Sequence, residues 1–173
     1  MQTELSYHLP KWMKQIGDIV GYEPVPHWKK SLYEDQKSGI TISGVPDDWF
    51  IRSDGSKAII DWKTAKYSQN QDKLMPMYRV QIICYSILID KTADLYLVYM
   101  EPQTEKGSAG NNIIDCGFRM EFSATVVPIE NDKKKVREAL SITREIFELQ
   151  KPPVSVDGCK ECSSLENIIE LLK

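Results

Sequence analysis

The chain has 173 residues, of which 42% are hydrophobic and 27% charged, with a formal net charge of −3. That length suits one domain able to bury its own core, and the composition excludes collagen-like, low-complexity and wholly disordered classes. The slight acidity excludes a global field that would pull the protein onto a polyanion, so any contact with nucleic acid has to come from local cations or a bound metal.

No apolar run reaches the ~20 residues needed to span a bilayer, and the N-terminal MQTELSYHLPKW carries no signal-peptide pattern. A cytoplasmic location without a membrane partner is expected. Of the cysteines Cys84, Cys116, Cys159 and Cys162, only the last two are neighbours in sequence. All are expected to stay reduced thiols in that compartment.

In chain order, Trp12 to Val20 suits a short helix, and residues 1–28 read as a lead-in to a core over 29–150. Lys29 to Tyr33 and Ile40 to Ser43 suit strands, joined by the turn chemistry of Lys37-Ser38-Gly39. A second hairpin follows, with Asp48 to Arg52 and Lys57 to Trp62 flanking Ser53-Asp54-Gly55, and its return strand Ala58-Ile59-Ile60 reads as buried. Pro76 opens a helix to about Ile89 that is apolar around most of its circumference and so has to pack on more than one side. Leu95 to Met100, Ile113 to Met120 and Phe122 to Val127 suit three strands, with a Gly- and Ser-containing loop after the first. Asn131 is placed to cap a helix to about Leu149 with Val136, Leu140 and Phe147 on one stripe; Pro152-Pro153 ends it. Residues 151–173 hold the C-x-x-C pair and a last helix from Ser163 or Ser164 to Leu172. The order predicts a single α/β domain, a central mixed β-sheet flanked by α-helices.

The chemistry concentrates in Ile59-Ile60-Asp61-Trp62-Lys63-Thr64. Strand alternation puts Asp61 and Lys63 on one face, roughly 6.6 Å apart along the strand. The hairpin turn decides which carboxylate of the first strand faces them. A three-residue loop with Gly55 left-handed sets Asp47 opposite Asp61, whereas a two-residue Asp54-Gly55 loop sets Asp48 there. The first register is preferred, because it gives Asp47, Trp49, Ile51, Ile59, Asp61 and Lys63 one coherent face. Pro46 cannot donate to a ladder, so pairing loosens just before Asp47. Opposed carboxylates repel unless a proton or cation lies between them, and two carboxylates, a backbone carbonyl and waters suit Mg²⁺ or Mn²⁺.

Three segments then carry a resemblance: Gly44-Val45-Pro46-Asp47, Ile60-Asp61-Trp62-Lys63-Thr64 and Gln81-Ile82-Ile83-Cys84-Tyr85. In that order they resemble the G-x-x-D, D-x-K-T and Q-x-x-x-Y motifs of RecB-type PD-(D/E)XK nucleases, a group that includes CRISPR-adaptation nucleases, over about Gly39 to Tyr99. The resemblance implies a restriction-endonuclease-like core and a deoxyribonuclease dependent on Mg²⁺ or Mn²⁺, acting in recombination, repair, phage or CRISPR-related processing. It implies that Asp47, Asp61 and the Trp62 backbone carbonyl hold the metal, that Lys63 is catalytic, and that Gln81 and Tyr85 border the site. The i, i+4 spacing independently puts the last two on one helix face.

Relatives add an upstream Glu or His, for which His8 is the better match of two histidines, although Pro10 lies close behind it; His27 sits in a Pro-containing loop. Some relatives hold an iron–sulfur cluster with one cysteine before the nuclease motifs. Here no cysteine precedes Cys84, so no cluster is expected. Cys84 and Cys116 read as small buried hydrophobes, and Cys159-Cys162 as a remnant or a partial zinc site. Lys66, Lys73 and Arg79 are the expected contacts to the backbone of single- or double-stranded DNA. Trp49 and Tyr78 read as base-stacking or core residues. Lys133-Lys134-Lys135 and Arg137 open a helix, where cations oppose the dipole. Protein partners in a DNA-processing complex fit the same picture.

Overall fold

The computed structural model describes residues 3–4, 9–68, 73–104, 113–114, 116–118 and 120–171. They form ten strands: β1 Thr3–Glu4, β2 Ile19–Tyr22, β3 Leu32–Asp35, β4 Ile40–Ser43, β5 Asp48–Arg52, β6 Lys57–Lys63, β7 Asp94–Pro102, β8 Ile113–Ile114, β9 Gly117–Phe118 and β10 Phe122–Ile129. Three α-helices accompany them: α1 Met75–Leu88, α2 Lys133–Phe147 and α3 Lys160–Leu171. The main sheet runs β1-β2-β5-β6-β7-β10. It is mixed, because β6 and β7 pair in parallel while their neighbours pair antiparallel. This is the α/β architecture expected, a mixed sheet with flanking helices.

The parallel pair lies at the centre and is covered on both faces, which is why its sequence is a continuous apolar run. Ile59, Leu95, Leu97 and Tyr99 point to one side and pack with Ile82 and Ile83 of α1 and Val136 and Leu140 of α2. Ala58, Ile60 and Val98 point to the other, against Met13 and Ile16 beside a 3₁₀ helix at Lys11–Gln15. Ile59 and Ile60 are fully buried, and each contributes about 2–3 kcal/mol of hydrophobic stabilisation. Helix α1 touches β6, β7, β3 and α2, the many-sided packing that its all-round apolar surface requires.

Several local readings are corrected. Trp12 to Val20 is not one helix: a 3₁₀ turn stops at Gln15, and Ile19–Tyr22 joins the main sheet beside β5. The lead-in therefore supplies a structural strand. Ile113–Met120 is not one strand, since β8 and β9 fold back on each other as a ribbon, with Cys116 exposed between them rather than buried. Helix α2 is capped by Asp132, whose carboxylate accepts from Lys134 N–H at 3.1 Å. Asn131 instead accepts from the buried Ser86 hydroxyl at 2.9 Å and donates to the Ala93 carbonyl at 3.2 Å. Phe147 leaves the Val136–Leu140 stripe and is exposed. The last helix begins at Lys160, before both serines, and Cys159 and Cys162 at its start are paired as a disulfide rather than held as separate thiols. No helix among the described residues is long and apolar enough to cross a membrane.

Candidate active site

The β5–β6 turn sets the site. Arg52 N–H donates to the Ser56 carbonyl at 2.9 Å and Gly55 N–H to the Arg52 carbonyl at 3.0 Å, closing a three-residue loop. Gly55 has φ +80°, a left-handed conformation that costs a side-chain-bearing residue and suits glycine. The register is then Phe50 opposite Ala58, Trp49 opposite Ile59 and Asp48 opposite Ile60. One step further, Asp47 stands opposite Asp61.

Strand pairing ends there, and Asp47 takes over the ladder's role. Its Oδ2 accepts the Trp62 N–H at 2.8 Å, a bond that the main chain around Pro46 would otherwise supply. Within a strand the N–H and carbonyl of one residue point to the same neighbour, so the Trp62 carbonyl also faces the β5 edge, where proline has no N–H to offer. The alternative carboxylate, Asp48, lies on the opposite face, where its Oδ2 accepts from the Trp62 indole at 2.6 Å. Trp12 meets that indole edge to face. One residue, Trp62, thus fixes both aspartates, each by a different N–H.

Asp61 is only 3% exposed. The Lys63 ammonium lies 2.5 Å from its Oδ2 as an ion pair. Burial raises the Asp61 pKa above the usual carboxylate range, Lys63 opposes the rise, and the charge of Asp47 adds to it. Lys63 is held from three sides: by Asp61, by the Gln81 Oε1 at 3.2 Å and by the Tyr78 ring, whose centroid is 4.0 Å from Nζ. Gln81 in turn donates to the Tyr85 hydroxyl at 2.8 Å. Burial raises the Tyr85 pKa, and the Asp61 and Asp47 charges raise it further, so its hydroxyl stays protonated near neutrality. Gly44 lets this ring come close: a Cβ there would lie 3.1 Å from Tyr85 Cε1.

Asp47, Asp61, Lys63, Gln81 and Tyr85 therefore converge. Tyr78, three residues before Gln81 on the same helix face, joins them. Of the three expected backbone contacts, Arg79 lines a different cleft. Lys66 pairs with Glu101 at 3.4 Å, Lys73 is exposed before α1, and Arg79 lies on the other flank of α1, lining a cleft with Ile83, Ile129 and Lys135. Trp49 is packed against the core with Lys57 over its ring, so its face is covered. His8 lies outside the described residues. His27 is exposed and accepts from Lys29 N–H at 3.2 Å, away from the carboxylates.

A hard cation fits this donor set. Among the described residues no three His, Cys, Asp or Glu side chains come together, and the oxygen donors at this point are the Asp47 and Asp61 carboxylates and the Trp62 carbonyl. The buried Oδ2 of Asp61 is occupied by the Lys63 ammonium, so a cation at Asp61 would share that carboxylate with Lys63.

No family model matches the chain. No curated protein matches either. Among solved structures, the crystal structure of SSO0001 is similar at 17% identity with a TM-score of 0.42, over 69% of this chain and 49% of that one. The chain thus spans about half the length of that neighbour.

Proposed function

We propose that this protein is a nuclease of the PD-(D/E)XK type that hydrolyses phosphodiester bonds of DNA with Mg²⁺ or Mn²⁺. One observation carries the reading: Asp47, bonded to Trp62 N–H where the β5–β6 ladder opens, falls opposite Asp61 when the register is continued one step, beside a lysine whose ammonium is fixed from three sides. A surface ion pair needs no such support.

Asp47, Asp61 and the Trp62 carbonyl would hold the cation. When bound, Mg²⁺ or Mn²⁺ supplies a Lewis acid for a phosphoryl oxygen and lowers the pKa of a water. Lys63 orients the attacking water or offsets charge on the phosphoryl group. Tyr78 and Gln81 keep that ammonium aimed. Tyr85 accepts from Gln81 and so keeps its own hydrogen to donate to a phosphate oxygen. The cytoplasm and a DNA-processing complex are the proposed setting.

The test is incubation of the protein with linear single- and double-stranded DNA in Mn²⁺, Mg²⁺ or EDTA, beside Asp61→Ala and Lys63→Ala. Expected is metal-dependent cleavage that each substitution lowers by about 10²–10³-fold or more. Cleavage that survives both substitutions, or a folded wild type that leaves DNA intact in every metal, contradicts the proposal.

A further inference from the structure

On the flank of α1 away from Tyr78 and Tyr85, the β3–β4 turn and the first turns of α2 enclose an open cleft of about 440 Å³ lined by Tyr33, Asp35, Gln36, Lys37 and Arg137. A smaller adjoining cavity of about 60 Å³ shares Tyr33, Asp35 and Arg137 and adds Lys91 and Lys133. Four cations thus meet one carboxylate.

That carboxylate is already committed. Asp35 Oδ2 accepts from the Ser38 N–H at 2.9 Å and the Ser38 hydroxyl at 2.8 Å, which holds the turn. Among the described residues none of the four cations forms a salt bridge. Two of them are nonetheless held in place: Lys133 donates to the Lys91 carbonyl at 2.7 Å, and the Lys91 ammonium lies over the Tyr33 ring. Lys133 and Arg137 also sit in the first turns of α2, where positive charge opposes the helix dipole, so helix stability does not account for them.

We infer that this cleft is a second phosphate-binding site, which holds the nucleic-acid backbone away from the reaction centre. The inference rests on the nuclease reading for its ligand. A strand presents successive phosphates that cations without a salt-bridge partner can neutralise, and an Arg fork matches a phosphate. Ile87, which lines the smaller cavity, is nine residues past Tyr78, about half a turn round the helix and on the order of 13 Å along it. A phosphate in the cleft is therefore not the one being cleaved.

The experiment measures binding of a fluorescent single-stranded oligonucleotide in EDTA over a range of salt, for wild type and for Lys37→Gln with Arg137→Gln. Each lost contact lowers the slope of log K against log salt by roughly 0.7, so the double variant is expected to fall by about 1.4. Lys14→Gln with Lys151→Gln, the same charge change elsewhere, is expected to keep the wild-type slope. An unchanged slope in the cleft variant, an equal fall in the control pair, or no binding by wild type at low salt overturns the inference. Mn²⁺-dependent hydrolysis of bis(p-nitrophenyl) phosphate, too small to reach the cleft, reports on the reaction centre separately. Its failure in wild type would count against the nuclease reading and leave the slopes to decide the cleft.

Discussion

At the scale of single residues, Lys63 is the side chain whose placement explains most. Its ammonium could sweep a wide volume on a flexible stem, yet Tyr78, Gln81 and Asp61 confine it. A partly desolvated cation–π contact contributes up to about 2 kcal/mol, equivalent to roughly 30-fold in rate if all of it serves the reaction. Tyr78→Leu is accordingly expected to lower kcat by about tenfold without changing metal affinity, and Tyr78→Phe to restore most of it; equal rates for all three proteins would dismiss the ring's role. That Asp61 and Lys63 share a strand face, and Gln81 and Tyr85 a helix face, was readable from spacing, whereas Asp47 depended on the turn register and their roles on the resemblance. The place of Tyr78 was not readable, since an aromatic on an apolar helix can as easily serve the core. Nor could spacing foresee that Trp62, placed on the opposite face, would hold both aspartates through two different N–H groups.

Asp35 allows a test of pH dependence. The Ser38 N–H, then the Ser38 hydroxyl, holds its carboxyl below the ordinary range. A group whose folded pKa is depressed stabilises the protein when charged. Its contribution is complete above the unfolded value of about 3.9 and disappears as pH falls through the lower folded value. Asp35→Ala is therefore expected to melt below wild type at neutral pH, and the two melting temperatures to converge in strong acid. A gap that persists or widens in acid would contradict this.

At the scale of elements, one turn decides the chemistry. With Gly55 left-handed the loop has three residues and Asp47 faces Asp61; a two-residue loop would bring in Asp48. Gly55 has open space where a Cβ would go, so Gly55→Ala carries a conformational penalty alone, about 1–2 kcal/mol by chemical denaturation. Unchanged stability would remove the turn from the argument. β5, β6, β7 and α1 were clear from sequence because turn signals bound their apolar runs, Ser53-Asp54-Gly55 between the first two and Pro76 at the start of α1. The misread elements share one cause, that a short apolar segment does not declare its period. Ile19–Tyr22 has too few residues to separate strand from helix, and only its pairing with β5 settles it. The cap of α2 falls one residue later because the Asn131 side chain is turned to the buried Ser86 hydroxyl and the Ala93 carbonyl.

For the whole molecule, the sheet explains why a charged site can sit at the end of so apolar a strand. β6 is covered on both faces up to Ile60, and only at Asp61 does the packing of α1 give way to polar side chains. The cost of burying that carboxylate is tolerable if a cation takes its charge. This makes metal binding, more than cleavage, the direct test of the account. In a calorimetric titration with Mn²⁺, wild type is expected to bind one ion, and Asp47→Asn and Asp61→Asn to lose at least tenfold in affinity while staying folded. Binding that is unaffected by both substitutions, or absent from folded wild type, would contradict the claim that these two strands carry a metal centre.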